Sequence, residues 1–105
     1  MKFTVDEFLA KLPLPATDKW KEGVWDVEPL KKGKVSLVFF APKTTDYQTF
    51  HEEDEFYVII RGKGGLIIGE ESFSCETGDA FFVAAKTLHH FENFTDDFAT
   101  WAIFF

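Results

Sequence analysis

One histidine and four acidic residues stand directly before a run of aromatic and β-branched residues in the stretch TFHEEDEFYVIIRG, residues 49–62. Aromatic and β-branched residues favour β-strands, and alternate residues of a strand share one face. If Tyr57 and Ile59 face the core, then Glu55 and His51 face it too, near the start of the strand. A buried carboxylate is costly unless it is paired or bound to a cation, so the pattern indicates a metal or ligand site.

A second polar cluster follows some thirty residues later, in GDAFFVAAKTLHHFENF, residues 78–94. In a strand, His89, Phe91 and Asn93 would share one face, and His90 would lie on the other. The sequence therefore predicts His89 as the partner of the first cluster. It predicts that His90 points outward or into an interface.

The two segments together resemble the paired motifs of the cupin superfamily, whose members are small jelly-roll β-barrels. The first motif of that family ends in His-x-His, three or four residues, Glu, six residues and Gly. The second motif contains Gly, His and Asn at fixed separations. The corresponding residues of this chain are His51, Glu55, Gly62, Gly78, His89 and Asn93. The resemblance implies a double-stranded β-helix that carries a divalent metal.

Thr49 stands where the first histidine of the family's ligand set belongs. Of the usual three histidines and one glutamate, the resemblance leaves His51, Glu55 and His89. Two histidines and one carboxylate are the ligand set of the facial triad in non-haem iron enzymes, and they also suit a catalytic zinc. The expected ion is Fe, Zn, Ni or Mn. Gln48 and Glu53 are further oxygen donors, provided that the strand bulges.

Two classes of function stay open at this point. In the first, a metal site supports oxygenase or isomerase chemistry on a small polar or aromatic molecule, as the resemblance implies. In the second, the chain is a metal-free small-molecule-binding module in which both histidines hydrogen-bond Glu55. In either class, the residues that we predict to line the pocket are Thr49, Tyr57, Phe91, Asn93 and Trp101.

A short helix is predicted before the barrel. Thr4 and Glu7 have the spacing of a capping box, and the helix is expected to run from Val5 to Lys11 and to stop before Pro13. Eight short apolar or alternating runs follow, separated by turn signals, which predicts an all-β barrel. We assign residues 1–15 to the helix and connector and residues 16–105 to the barrel.

The composition narrows the range of partners. A chain of 105 residues is the size of one domain, and its net charge of −7 disfavours nucleic-acid binding. No apolar run is long enough to span a membrane, no signal peptide is expected, and a single cysteine fits the cytoplasm. Several strands, such as VSLVFF, are apolar on both faces and need cover on both, so a homodimer is expected. The expected partner besides the second copy is a small-molecule ligand.

Overall fold

The computed structural model describes all residues from 1 to 105 and contains one helix and eight strands. The predicted all-β jelly roll with an N-terminal helix is confirmed, and each of the eight strands overlaps one of the eight predicted runs. The elements are α1 (Val5–Leu9), β1 (Asp26–Lys32), β2 (Val35–Phe40), β3 (Glu55–Arg61), β4 (Lys63–Ile68), β5 (Glu71–Glu76), β6 (Ala80–Val83), β7 (His89–Glu92) and β8 (Ala99–Phe104). The helix is neither long nor apolar enough to cross a membrane.

The helix begins as its capping residues predict. Thr4 Oγ1 accepts a hydrogen bond from Glu7 N at 3.3 Å, which satisfies one of the free N–H groups of the first turn. The helix ends at Leu9, two residues earlier than expected. Lys11 N donates to the carbonyl of Phe8, three residues back, at 3.1 Å, and this tighter spacing marks the end of the α-helical ladder.

The strands form two antiparallel sheets, with orders β1-β2-β8-β3-β6 and β5-β4-β7. Apolar side chains from both sheets meet between them and form the main core. Its buried members are Phe40, Tyr57, Ile59, Leu66, Cys75, Val83, Phe91, Phe98 and Ala102. The helix lies on the outer face of the larger sheet, where the Phe8 ring packs against Phe39 and Trp101 at 6.1 and 5.9 Å between centroids.

Strand alternation decides which side chains reach the space between the sheets. Glu55, Tyr57 and Ile59 are buried on β3, while Phe56 between them is exposed. On β7, His89 is buried and Glu92 is exposed. The same alternation that builds the core therefore carries one carboxylate and one imidazole into it.

The turn between β3 and β4 depends on Gly62. Its φ is 75°, in the left-handed region that favours glycine. A Cβ at this position would lie 2.3 Å from Thr95 Oγ1, so a larger residue would displace the loop that crosses there. Glycine at this position thus fixes the corner at which the chain passes from one sheet to the other.

Candidate metal centre

The structure brings His51, Glu55 and His89 together between the two sheets. His51 lies in the segment before β3, Glu55 begins β3 and His89 begins β7. One potential ligand atom from each residue lies within 4.8 Å of the others. His90 lies on the other side of β7, with its Nε2 atom 3.8 Å from Glu92 Oε2 near the surface. The structure therefore brings together the three residues that the sequence predicts to converge, and it places His90 outside the cluster, as predicted.

His51 is held in place by backbone contacts, although it is not part of a strand. Its carbonyl accepts a hydrogen bond from Lys86 N at 2.7 Å, and the carbonyl of Thr49 accepts one from His89 N at 2.8 Å. These two bonds attach residues 49–51 to the segment that leads into β7. The imidazole of His51 therefore faces that of His89, with 5.2 Å between ring centroids.

The tautomer of His89 is fixed by a single contact. Its Nδ1 atom lies 2.8 Å from the carbonyl oxygen of Thr87, and because a carbonyl can only accept, Nδ1 donates. A neutral His89 then presents a lone pair at Nε2, which is the arrangement seen in most metal-bound histidines. The imidazole is therefore oriented and prepared to bind an ion through Nε2.

His89 Nε2 and Glu55 Oε1 lie 3.1 Å apart, and both residues are almost fully buried, at 2% and 1% exposure. The contact lacks the alignment of a hydrogen bond, so each of the two atoms is buried without a hydrogen-bond partner. Buried polar atoms are rarely left in that condition. A positive charge between them, either a metal ion or a proton on Nε2, would satisfy both.

One distance in the cluster fits a metal coordination shell. Ligand bonds of about 2.0–2.2 Å place neighbouring ligand atoms roughly 2.8–3.1 Å apart in an octahedral shell and roughly 3.3–3.6 Å apart in a tetrahedral one. The pair formed by His89 Nε2 and Glu55 Oε1, at 3.1 Å, has the octahedral spacing. The donor set of two imidazoles and one carboxylate suits a divalent first-row metal in its chemistry.

The two imidazoles differ in basicity. Burial lowers the pKa of His51, although Glu55 partly opposes the shift. Burial also acts to lower the pKa of His89, but the Glu55 carboxylate and the Thr87 carbonyl outweigh it, and the net pKa is raised. His89 is thus the more basic of the two imidazoles.

A buried hydrogen-bond network lies beside the cluster. Asp46, 6% exposed, accepts hydrogen bonds from Phe91 N at 2.8 Å, Gln48 N at 3.0 Å and Gln48 Nε2 at 2.6 Å. On its other side, Gln48 Oε1 lies 3.1 Å from His51 Nε2 and accepts a hydrogen bond from the Tyr57 hydroxyl at 3.1 Å. Burial raises the pKa of Tyr57 well above its ordinary value, so the hydroxyl keeps its proton and acts as the donor.

A cavity of about 180 Å³ opens beside His51 and Glu55. It is smaller than the roughly 300–1,000 Å³ of sites for drug-sized ligands, so it suits a small molecule. The Trp20 ring forms one wall, packed edge-on against Phe40 at 6.0 Å between centroids. The other residues that line the cavity are Lys19, Asp26, Val38, Gln48, Tyr57, Ala102 and Phe104.

Of the five residues predicted to line the pocket, only Tyr57 lines this cavity. Phe91 is buried behind Tyr57, with 4.8 Å between ring centroids, and belongs to the core. Trp101 lies on the outer face of β8 against Phe39. Its neighbour Ala102 faces inward, so strand alternation turns the Trp101 side chain away from the site.

Thr49 and Asn93 also lie outside the cavity, for a different reason. Both are exposed, and neither is on a strand: β3 begins at Glu55 and β7 ends at Glu92. Asn93 has a φ of 50° and borders an outer groove along β4 and β5. Strand alternation does not extend to these two positions, so it could not place their side chains.

Several cavity residues were missed by the sequence reasoning. Lys19 and Trp20 lie in a segment without strand periodicity, which gave no signal. Asp26 is on β1 and lines the cavity near His51, and burial raises the pKa of its carboxyl group. For Asp46, which lies beside the cavity, the sequence does carry a signal. An Asp side chain often accepts a hydrogen bond from the backbone N–H two residues later and so stabilises a turn, as Asp46 does with Gln48 N.

Comparisons with known proteins identify the family of this chain. The sequence pattern of the family described as "Cupin domain" matches residues 36–105, two thirds of the chain. The chain belongs to the cupin domain family. An uncharacterized protein of Streptomyces coelicolor is 30% identical over 70 residues, which are 67% of each chain.

Two further relatives extend the comparison. An uncharacterized protein of Sinorhizobium fredii is 42% identical over 50 residues, and the match covers 47% of this cupin but only 22% of that protein. The solved structure of an uncharacterized conserved protein with a double-stranded β-helix domain from Klebsiella pneumoniae matches with a TM-score of 0.71 at 14% identity. That match covers 98% of this cupin and 87% of the other chain. At such low identity it shows the shared fold.

Proposed function

We propose that this cupin binds a divalent metal through His51, Glu55 and His89 and acts on a small organic molecule in the adjoining cavity. The observation that carries the proposal is the pair of buried atoms, His89 Nε2 and Glu55 Oε1, at 3.1 Å without a hydrogen bond. A neutral imidazole and a carboxylate present lone pairs to each other at this distance. A positive charge between them stabilises the pair, supplied by a metal ion in this proposal and by a proton on His89 Nε2 in the metal-free alternative.

The surroundings of the site support a role for a bound small molecule. A divalent ion would supply Lewis-acid polarisation of a substrate oxygen or redox chemistry, which matches oxygenase or isomerase activity. Six of the eleven residues that line the cavity are apolar or aromatic, with Trp20, Phe40 and Phe104 among them. Lys19, also on the lining, is suited to pair with an anionic group of a ligand.

A metal-free binding module is the second candidate, and one observation favours it. Gln48 Oε1 lies within hydrogen-bond distance of His51 Nε2, so His51 can be satisfied by protein alone. Removing the metal by dialysis against a chelator and titrating the protein with Zn²⁺, Ni²⁺ or Fe²⁺ by calorimetry separates the candidates. One ion bound per chain with micromolar or tighter affinity supports the metal site, and no heat of binding for any ion supports the module.

Metal affinity is expected to fall as the pH is lowered. The pKa of His89 is raised and that of His51 is lowered, so on acidification His89 takes up a proton first. Below the pKa of His89, each ion bound must displace one proton, and affinity should fall by about tenfold per pH unit. Calorimetry at several pH values in buffers of different ionisation enthalpy would count the protons released. A pH-independent affinity across this range would contradict the assignment of His89 as a ligand.

We also propose that the cupin forms a homodimer through the outer face of β3 and β6. Phe56 and Phe82 are paired across these strands, and Phe105 stacks on Phe56 with 5.6 Å between ring centroids. These three rings are 42%, 50% and 42% exposed, and contiguous exposed apolar surface commonly marks an interface. We expect a dimeric mass by light scattering at micromolar concentration, reduced to a monomeric mass by Phe82→Glu. A monomeric mass for the wild type would contradict the proposal.

The chemistry of the single cysteine supports a reducing compartment such as the cytoplasm. Cys75 is free and buried in the core. Burial raises the pKa of its thiol, which disfavours the reactive thiolate. Cys75 is therefore proposed as a structural residue with no part in the chemistry.

A further inference from the structure

The most informative contacts outside the three predicted ligands are those of Gln48. Its amide nitrogen donates to Asp46 Oδ2 at 2.6 Å, and a carboxylate offers only acceptors. This contact fixes which end of the amide is which. The oxygen, Oε1, must therefore point to the opposite side, toward His51 Nε2 and the Tyr57 hydroxyl.

The separation between Gln48 Oε1 and His51 Nε2 is 3.1 Å. The pair formed by Glu55 and His89 shows the same spacing, 3.1 Å. One potential ligand atom each of His51, Glu55 and His89 lies within 4.8 Å of the others, and Gln48 Oε1 places a fourth oxygen donor beside the His51 member of that group. Amide oxygen is a ligand that divalent ions accept.

We propose, on the basis of the proposed metal site, that Gln48 Oε1 is the fourth protein ligand of the ion. Asp46 is then the positioning residue that orients the Gln48 amide. Family motif spacing puts the missing ligand at Thr49. The side chain at that position is exposed, and its carbonyl is occupied by His89 N. The ligand position is thus displaced by one residue along the chain, to Gln48.

Asp46 is suited to this task because it is buried and fully engaged. Besides the two groups of Gln48, it accepts a hydrogen bond from Phe91 N on β7 at 2.8 Å. That bond connects the loop that carries Gln48 to the strand that carries His89. Residues that orient metal ligands typically change metal affinity by about 10–100-fold when they are replaced.

The test uses Co²⁺, whose visible absorption reports the number and geometry of its ligands. Gln48→Leu removes the amide oxygen with little change in size. We expect it to weaken Co²⁺ binding by about 10–100-fold and to shift the visible bands, because water replaces a protein ligand. Thr49→His is the matched variant one residue away. We expect it to leave affinity within about threefold of the wild type, whereas a family-like site at that position would bind more tightly.

The outcomes separate this inference from the proposed function. If wild type binds Co²⁺ and Gln48→Leu binds it with the same affinity and spectrum, Gln48 is not a ligand, although the three-residue site stands. Tighter binding by Thr49→His would likewise overturn the inference. If the wild type binds no divalent ion at all, the proposed function itself fails. Circular dichroism and melting of each metal-free variant would exclude loss of the fold as the cause.

The positioning role of Asp46 needs a readout that a purely structural residue would not change. Asp46→Asn retains the shape of the side chain but replaces one acceptor oxygen with an NH2 donor. Because Oδ1 accepts from Gln48 N and Oδ2 accepts from Gln48 Nε2, this donor faces another N–H in either orientation of the amide. We expect weaker Co²⁺ binding and a shift of the same visible bands that Gln48→Leu alters. A less stable protein with an unchanged Co²⁺ spectrum would overturn the positioning role.

Discussion

Replacing His89 with alanine is expected to abolish metal binding, with a loss of affinity of at least about 100-fold. The imidazole is oriented by Thr87 and placed 3.1 Å from Glu55 Oε1. The remaining protein ligands cannot reproduce this geometry. Titration calorimetry with Zn²⁺ and Ni²⁺ measures the loss.

His90→Ala is the matched control for this experiment. It removes the same chemical group from the adjacent residue, whose side chain lies near the surface beside Glu92. We expect its metal affinity to equal that of the wild type. Equal affinities for His89→Ala and the wild type, or a loss with His90→Ala, would show that the ion binds elsewhere.

His89→Ala also changes the stability of the metal-free protein. Without the imidazole, Glu55 stays buried beside a cavity and loses its nearest polar neighbour. An unsatisfied buried group costs about 1–3 kcal/mol, so the variant is expected to melt at a lower temperature. Titrations should therefore be done well below that temperature, where the variant is folded.

The second large effect expected is stabilisation of the fold by metal. The ligands come from the segment before β3 and from two different sheets, so an ion that binds all of them binds only the folded chain. At a free-ion concentration 100 times the Kd, such linkage adds about 2.7 kcal/mol to the free energy of unfolding. For a domain of this size the melting temperature should rise by roughly 10 °C or more.

Glu55→Gln provides the contrast for that measurement. The amide retains the size of the side chain but removes the negative charge that faces His89. We expect the metal-induced rise in melting temperature to fall to a few degrees or less. A rise of equal size in the wild type and in Glu55→Gln would mean that the stabilisation comes from ions bound at the acidic surface.

The fold was predictable because local signals were strong and consistent. Each strand is a short apolar or alternating run bounded by turn residues, and the capping pair Thr4 and Glu7 marks the start of the helix. Gly62, the last position of the first motif, occupies a corner where a side chain would collide with Thr95. Pattern and sterics therefore agree along the chain, which is the condition for a sequence to specify one fold.

The candidate site was predictable only in part. Strand alternation correctly oriented Glu55 and His89, which begin strands. His51 lies outside β3, so its orientation depends on the backbone bond between its carbonyl and Lys86, a contact between distant segments. Alternation and motif spacing both predict that His51 faces the core, but neither reports the bond that fixes it there.

The remaining features depend on tertiary contacts that no local pattern reports. Trp20 becomes a cavity wall because the connector folds back over Phe40. Gln48 rather than Thr49 faces His51 because Asp46 holds the irregular loop through Phe91 on β7. These contacts join residues far apart in the sequence, and spacing within one motif carries no information about them.

The central claim, that the cluster of His51, Glu55 and His89 holds a divalent metal, is tested most directly by elemental analysis. The protein should be purified without a polyhistidine tag and without chelators, then analysed by mass spectrometry of its metals. The account predicts close to one equivalent of a single first-row metal per chain, lost in His89→Ala and retained in His90→Ala. A wild-type protein free of metal that also fails to take up Fe, Zn, Ni or Mn when they are supplied would contradict it.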